Sequence, residues 1–236
     1  SFLLQEFRDA GYTVSWHIID SKHWLPQYRE RVYIVGFRND IISDTHAFDM
    51  GPVDQMAGVG ERVEGTALGG TIRGIMESDL SPQALSSISL TPSQWNMIQD
   101  PEYVLKSSTW KGVVAETLRS RIVNVDSKSF TLTSGYKNCS NIATKFIMED
   151  VDGKTLPLPR YYTGRECCRI MGFPESFIIP NENAQSQLSI GTDRNVGNNL
   201  KLCQGAANRF YHQIGNAVCP PVVASITTYM LDVLKL

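Results

Sequence analysis

The chain lacks a strong net charge, a cysteine framework and a long apolar run. Its formal net charge is -2 at pH 7, so the composition as a whole gives no electrostatic signature of a nucleic-acid binder. Five cysteines, an odd number without framework spacing, favour reduced thiols in an intracellular protein over a disulfide scaffold. No uninterrupted apolar run reaches the roughly 18 residues of a membrane span. We therefore expect neither a membrane partner nor a metal site.

Local charge, in contrast, is strongly segregated. The stretch from Lys106 to Lys145 holds seven basic residues and two acidic ones, whereas Asp40 to Glu102 holds ten acidic residues and two basic ones. A charge run is usually a solvated face, so the basic stretch alone leaves two interpretations open. It is either plain surface or a contact for an anionic partner.

The hydrophobic content of 42% is enough for a substantial core, in one large domain or two smaller ones. Periodicity predicts an amphipathic helix over residues 2–10 that Gly11 closes, then strands over 12–19 and 32–37 that can pair as a hairpin. From 41 to 155, frequent Gly, Ser and Thr with short apolar runs predict an irregular β-rich module.

Helical patterning returns after a predicted hairpin turn at Asp152-Gly153. Thr163 and Glu166 have the spacing of a capping box for a helix that ends at Gly172. A final apolar helix carries Pro220-Pro221 in its first turn, where missing amide donors cost little.

Three segments stand out from this background. The first is Gln27-Tyr28-Arg29-Glu30-Arg31, which runs into the second predicted strand. Residues two apart in a strand share a face, so Arg29 and Arg31 would point the same way, with Gln27 on that side to orient them by hydrogen bonding. For the bare pattern, ordinary salt-bridged residues of an edge strand are the favoured interpretation. Pro26-Gln27 before it and the apolar run from Val32 to Arg38 after it make the pattern more specific.

The second segment is Arg165-Glu166-Cys167-Cys168-Arg169, which ends in Gly172-Phe173-Pro174. The third is Gln213-Ile214-Gly215-Asn216-Ala217-Val218, which we expect to open the last helix. Asn216 would also suit the N-cap of that helix, and the two roles are compatible.

Together, the three segments resemble the C-terminal third to half of a DNA (cytosine-5) methyltransferase. In that family a Cys thiolate adds to C6 of cytosine, and C5 then attacks the methyl group of S-adenosyl-L-methionine. The resemblance implies that Arg31, helped by Arg29 and Gln27, stabilises negative charge developing at the base O2. It also implies that Arg165 and Glu166 pair and cap as a structural anchor.

The resemblance further implies a cofactor and a nucleic-acid partner. Gly215, Asn216, Ala217 and Val218 would lie beside the S-adenosyl-L-methionine pocket. The segment Phe130–Asn138 resembles part of the family's target-recognition region, so Thr131, Tyr136, Lys137 and Asn138 become candidates for contact with duplex DNA, whose target base is flipped out.

The sequence contains no Pro-Cys nucleophile loop, no Glu-Asn-Val segment and no Gly-rich cofactor turn. We therefore expect part of an α/β, Rossmann-like methyltransferase fold: an edge hairpin over 1–40, an inserted β-rich target-recognition domain over 41–155, and a return to the catalytic core over 156–236. An N-terminal half, on the same or a separate chain, would supply the nucleophile, and the isolated chain would be inactive.

Two alternatives remain open at this point. One is an inert DNA-binding or regulatory homologue, and the other is a tRNA cytosine-5 methyltransferase. In each case the expected location is the nucleus of a eukaryote or the cytoplasm of a bacterium.

Overall fold

The computed structural model describes residues 2–42, 49–56, 70–100, 121–139, 141, 143–151, 153–180 and 209–234. The helices are α1 Phe2–Asp9, α2 Pro82–Ile88, α3 Pro92–Gln99, α4 Gly164–Met171, α5 at 209–216 and α6 Pro220–Leu234. The strands are β1 Tyr12–Asp20, β2 Glu30–Arg38, β3 Asp150–Val151 and β4 Lys154–Thr155, and short 3-10 helices lie at Ser21–His23, Gly51–Met56 and Ile72–Ile75.

An antiparallel hairpin follows α1, as the sequence predicts. Gly11 leaves α1 with φ +85°, a left-handed conformation that glycine adopts without strain. β1 and β2 pair from Tyr12 opposite Arg38 to Asp20 opposite Glu30. Side chains alternate across the pair, so the hairpin has two distinct faces.

The two faces of the hairpin differ in burial. One face buries its apolar side chains in the core, and these are Ile19, Val35 and Phe37. The other leaves large apolar side chains exposed, and these are Trp16, Ile18, Val32 and Ile34. Trp16 is opposite Ile34 and Ile18 is opposite Val32, so the exposed side chains form one continuous cross-strand patch.

In the part of the middle region that the structure describes, regular strands are short. Its described strands are the two-residue β3 and β4, which join around Gly153 as expected, together with isolated bridges. Two of the bridges involve Ile122, which pairs with Phe146, and Ser129, which pairs with Gln27. The backbone groups of this region bond instead across loops, to segments such as Pro26–Tyr28. Tertiary contacts here replace a regular ladder.

Helix α4 has both predicted ends. The Thr163 hydroxyl accepts from the Glu166 amide while the Glu166 carboxylate accepts from the Thr163 amide, which completes the capping box. Gly172 closes the helix with φ +78°, and a Cβ there would be 2.6 Å from Pro221 Cδ and 2.8 Å from Leu25 Cδ2. The end of α4 is therefore packed tightly against the start of α6.

The C-terminal segments differ from the prediction in one respect. Residues 213–218 do not open the last helix: they form the end of α5 and the link that follows it, and α6 begins at Pro220. Asn216 is thus the last residue of a helix, where it cannot act as an N-cap. Trp24 Nε1 donates to Ser225 Oγ at 2.9 Å, which ties the hairpin loop to α6 within the common core.

Among the described residues, the segment Arg209–Leu234 has the length and composition of a membrane span, with a mean hydropathy of 1.5. The helical path is interrupted at 217–219. Val222, Ser225 and Ile226 bury one side of α6 in the protein core. The absence of a membrane partner stays a prediction.

Candidate functional site

Arg29 lies buried at a junction of three chain segments. Its guanidinium donates to Leu132 O at 2.8 Å, Gly215 O at 3.1 Å and Ala217 O at 2.9 Å. Its Nε is buried without a hydrogen-bond partner. Burial, and next the charge of Arg31, lower the pKa of Arg29. The side chain therefore connects the candidate DNA-contact segment to the candidate cofactor segment.

Gln27 reinforces the same junction. Its Oε1 accepts from the Leu132 amide at 2.6 Å, and its Nε2 donates to Ile170 O at 3.3 Å. The predicted role was to orient the two arginines. The observed contacts instead hold the 130–133 segment against the end of α4.

Gly215 makes this close approach possible. A Cβ on Gly215 would overlap the Thr133 carbonyl and would lie 2.5 Å from Ser134 N. The backbone that approaches Gly215 closely is that of residues 133–134. Only a residue without a side chain fits this position.

Arg31 is exposed, in contrast to Arg29. Its Nη1 donates to its neighbour's carbonyl, Glu30 O, at 2.7 Å. Tyr33 and Cys219 lie near both guanidinium groups, and burial raises the pKa of each of these two side chains. The arginine pair thus combines one buried structural cation with one cation at the surface.

The four candidate DNA contacts occupy different environments. Tyr136 is only 6% exposed; its hydroxyl accepts from the Tyr162 amide at 2.6 Å and donates to Lys145 O at 3.2 Å. Burial raises its pKa well above the ordinary value. The prediction for Tyr136 is therefore wrong: its ring belongs to a buried aromatic cluster, where it cannot reach DNA.

Lys137 is held near the same cluster. Its backbone has φ +72°, and its Nζ lies 4.7 Å from the ring centroid of Tyr211. Burial lowers its pKa. Thr131 and Asn138 lie nearer the surface: the Thr131 hydroxyl donates to Tyr28 O at 2.8 Å, and Asn138 is exposed. Of the four candidates, these two have positions compatible with nucleic-acid contact.

The anchor uses a partner that sequence reasoning missed. Glu166 is fully buried and pairs with Arg160, whose Nη1 and Nη2 lie 2.8 and 2.9 Å from its carboxylate oxygens. These contacts raise the pKa of Arg160 against the opposing effect of burial. Arg165, predicted to pair with Glu166, donates to Glu175 O and Phe177 O. No local pattern in the sequence distinguishes Arg160 as the buried partner.

One of the candidate cofactor residues, Val218, borders an open groove. Val218 lines it with Phe173, Pro220, Val223, Ala224, Thr227 and Thr228, and its volume is about 600 Å³. The Asn216 side chain is exposed beside Ala217, and no hydrogen bond joins it to another described residue. An apolar wall of this kind fits one side of a nucleoside-containing cofactor. Within the described ranges no cluster of His, Cys, Asp or Glu could hold a metal ion.

The sequence matches the family of C-5 cytosine-specific DNA methylases over residues 2–196. The chain belongs to this family. Type II methyltransferase M.NlaX of Neisseria lactamica is 25% identical, over 97% of this chain and 55% of the relative. M.DsaV of Dactylococcopsis salina is also 25% identical, over 99% of this chain and 52% of the relative.

The fold of the chain is also similar to those of solved methyltransferase structures. The methylase chain superposes on S. pombe Dnmt2 methyltransferase with a TM-score of 0.64 at 21% identity, covering 99% of this chain and 62% of that one. A DNMT2 mutant from Spodoptera frugiperda gives 0.56 at 15% identity, covering 97% and 60%. The fold is therefore that of a methyltransferase, and the chain spans about half the length of the curated relatives it matches.

Proposed function

We propose that this chain is the C-terminal portion of a DNA (cytosine-5) methyltransferase. It would bind duplex DNA, hold the flipped cytosine and complete the S-adenosyl-L-methionine pocket. The observation that carries the proposal is the junction at Arg29, where the candidate DNA segment meets the candidate cofactor segment through one side chain. The matched relatives, about twice as long, support the division into two portions.

Arg31 is the residue we assign to the chemistry. Its exposed guanidinium is near enough to the buried Arg29 for its charge to lower the pKa of Arg29, after burial as the larger cause. A cation at the base O2 stabilises the charge that develops when a thiolate adds to C6, and it acts most strongly on the transition state. The nucleophilic cysteine would come from the N-terminal portion.

Asn216 and the apolar groove at Val218 would form one wall of the cofactor site. The cofactor supplies the methyl group that C5 attacks. From this chain, the Asn216 amide would bind a polar end of the cofactor, and Val218 with Val223 would exclude water from its apolar part. The remaining walls belong to the N-terminal portion.

Exposed apolar side chains support the proposal that this chain binds an N-terminal portion. The hairpin carries the cross-strand patch of Trp16, Ile18, Val32 and Ile34, and α1 also exposes large apolar side chains, namely Phe2, Leu3 and Phe7. Contiguous apolar surface of this kind usually marks an interaction site. We assign it to the interface with the N-terminal portion of the enzyme, whether on the same chain or a separate one.

The test is methyl transfer from tritiated S-adenosyl-L-methionine to duplex DNA. We expect activity only when the N-terminal portion is supplied, and full activity of the 236-residue chain alone would refute the division of labour. Arg31→Ala in the combined enzyme should lower kcat far more than DNA affinity. Equal losses in both would remove the catalytic role from Arg31.

The same assay separates the alternatives. A duplex and a tRNA are compared as binding partners and methyl acceptors at one stated salt concentration, because phosphate contacts dominate affinity. Binding without transfer in the combined enzyme would indicate an inert homologue.

A further inference from the structure

Two aromatic rings stand exposed at the edge of the arginine junction. Tyr28 is 46% exposed and Phe130 is 58% exposed, and their ring centroids are 6.4 Å apart at an interplanar angle of 45°. Burying such rings would ordinarily stabilise a fold, so their exposure side by side requires a reason. We call this pair the aromatic platform.

The backbone holds the platform rigidly. The Tyr28 amide donates to Ser129 O at 2.9 Å, and the Thr131 hydroxyl donates to Tyr28 O at 2.8 Å. These bonds link the two chain segments immediately on either side of Phe130. Arg29, next in sequence to Tyr28, adds its bond to Leu132 O. The rings are therefore preorganised and would lose little backbone entropy on binding.

One cation contacts the platform. The Lys145 ammonium lies 4.5 Å from the ring centroid of Phe130. The segment from 121 to 145 contains four basic residues and one acidic residue, Asp126, and that acid is paired with Arg73. Aromatic rings next to cations are the combination that binds unpaired nucleobases, because every base has a π-face and every nucleotide carries a phosphate.

The platform is separate from the apolar patch of the hairpin. Asp20 and Glu30 are partners at the last position of the β1–β2 ladder, between the patch and Tyr28. Glu30 is exposed there, whereas the Asp20 carboxylate accepts hydrogen bonds from the amides of Lys22 and Arg29. A protein partner covering the patch would thus meet charge before it reached the platform.

We infer that Tyr28 and Phe130 form a stacking site for an unpaired nucleobase of the bound nucleic acid. The inference rests on the proposed function and adds a preference to it. A duplex containing one unpaired nucleotide should bind more tightly than a fully paired duplex of the same length, because the extra base stacks on the platform without an opening cost.

Fluorescence anisotropy with these two duplexes tests the inference on the full chain. We expect the wild type to bind the duplex with the unpaired nucleotide with a Kd about tenfold lower than that for the paired duplex. In Tyr28→Ala or Phe130→Ala the two Kd values should be about equal. Tyr28→Phe should keep it. Trp16→Ala, which removes an exposed aromatic ring from the hairpin patch, is the matched control and should leave the preference unchanged.

A second measurement does not depend on affinity. An oligonucleotide with 5-iodouracil at the unpaired position should photocross-link to Tyr28 or Phe130, as mapped by mass spectrometry. Equal binding of both duplexes by the wild type, or a preference that survives both alanine variants, would overturn the inference and leave the proposed function intact. Failure to bind either duplex would overturn both. Loss only of association with the N-terminal portion would assign the platform to a protein interface instead.

Discussion

The Arg29 guanidinium and the Gly215 carbonyl lie 3.1 Å apart and join segments separated by 186 residues. The same side chain bonds Leu132 O and Ala217 O, so one cation holds three loops together. Gly215 permits the arrangement because any side chain there would overlap the Thr133 carbonyl. The connection between the candidate DNA and cofactor segments therefore depends on a matched pair of residues.

Arg29→Lys should destabilise the fold, although it conserves the charge. An ammonium cannot reproduce the planar fork that reaches three carbonyls, and a carbonyl left unpaired in the interior is costly. We expect the free energy of unfolding to fall by about 2–3 kcal/mol in urea denaturation. Arg31→Lys is the matched control, and its exposed position predicts a change within about 0.5 kcal/mol. Equal effects would contradict the structural role of Arg29.

Gly215→Ala should push the 133–134 backbone away from α5. Thr133 O also accepts from the Tyr136 amide at 3.0 Å, so that bond reports the displacement. We expect faster hydrogen exchange at the Tyr136 amide and a loss of about 1–3 kcal/mol of stability from overpacking. An unchanged hydrogen-exchange rate at the Tyr136 amide would show that the 133–134 backbone accommodates the added methyl group without losing this hydrogen bond.

Gly172→Ala and Gly11→Ala form a pair that separates backbone strain from steric overlap. Both glycines have positive φ, but only Gly172 has neighbours, Pro221 and Leu25, within 3 Å of a Cβ. Gly11→Ala should cost about 1–2 kcal/mol from conformation alone. Gly172→Ala should cost clearly more, as measured by urea denaturation of both variants, and similar values would count against tight packing of α4 on α6.

Glu166→Gln tests the buried anchor. The substitution keeps the shape of the side chain but leaves the Arg160 cation with reduced compensation in the core. Breaking such a pair from one side should cost about 3–5 kcal/mol. Replacing both partners, Arg160→Met with Glu166→Gln, should recover part of the loss in a double-mutant cycle, and strict additivity would contradict the coupling.

Asp20→Asn should reveal a pH-dependent contribution to stability. Burial acts to raise the pKa of Asp20, but amide hydrogen bonds from Arg29 and Lys22 and the Lys22 charge outweigh it, so the folded-state pKa is lowered. The ionised Asp20 carboxylate therefore stabilises the fold fully at pH values above its unfolded-state pKa of about 3.9. This stabilisation is lost as the pH falls through its lower folded-state pKa. Urea denaturation of both proteins should show a difference at pH 6 that shrinks towards pH 3.

Local elements were predictable because local chemistry determines them. The Thr163–Glu166 spacing, the αL glycines at 11 and 172 and the alternation along the hairpin are all visible within a few residues. The shared face expected for Arg29 and Arg31 stays a prediction, because Arg29 precedes β2 and is buried whereas Arg31 is exposed.

The rest depends on contacts between distant segments. Tyr136 has the polar hydroxyl of a surface residue, yet two backbone partners satisfy that hydroxyl in the core. Arg160 is distinguished from Arg165 only by where its side chain meets Glu149 and Glu166. Within the described residues of 41–155, loop-to-loop backbone bonds occur where the sequence led us to expect ladders, and no local pattern indicates them.

The hydrogen bond from the Trp24 indole to Ser225 gives the molecule an intrinsic optical reporter. Undocking of the final helix would transfer that indole from a dry to an aqueous environment and shift its emission to longer wavelength. A variant with the other tryptophans replaced by phenylalanine would allow this event to be followed in real time, without any external dye.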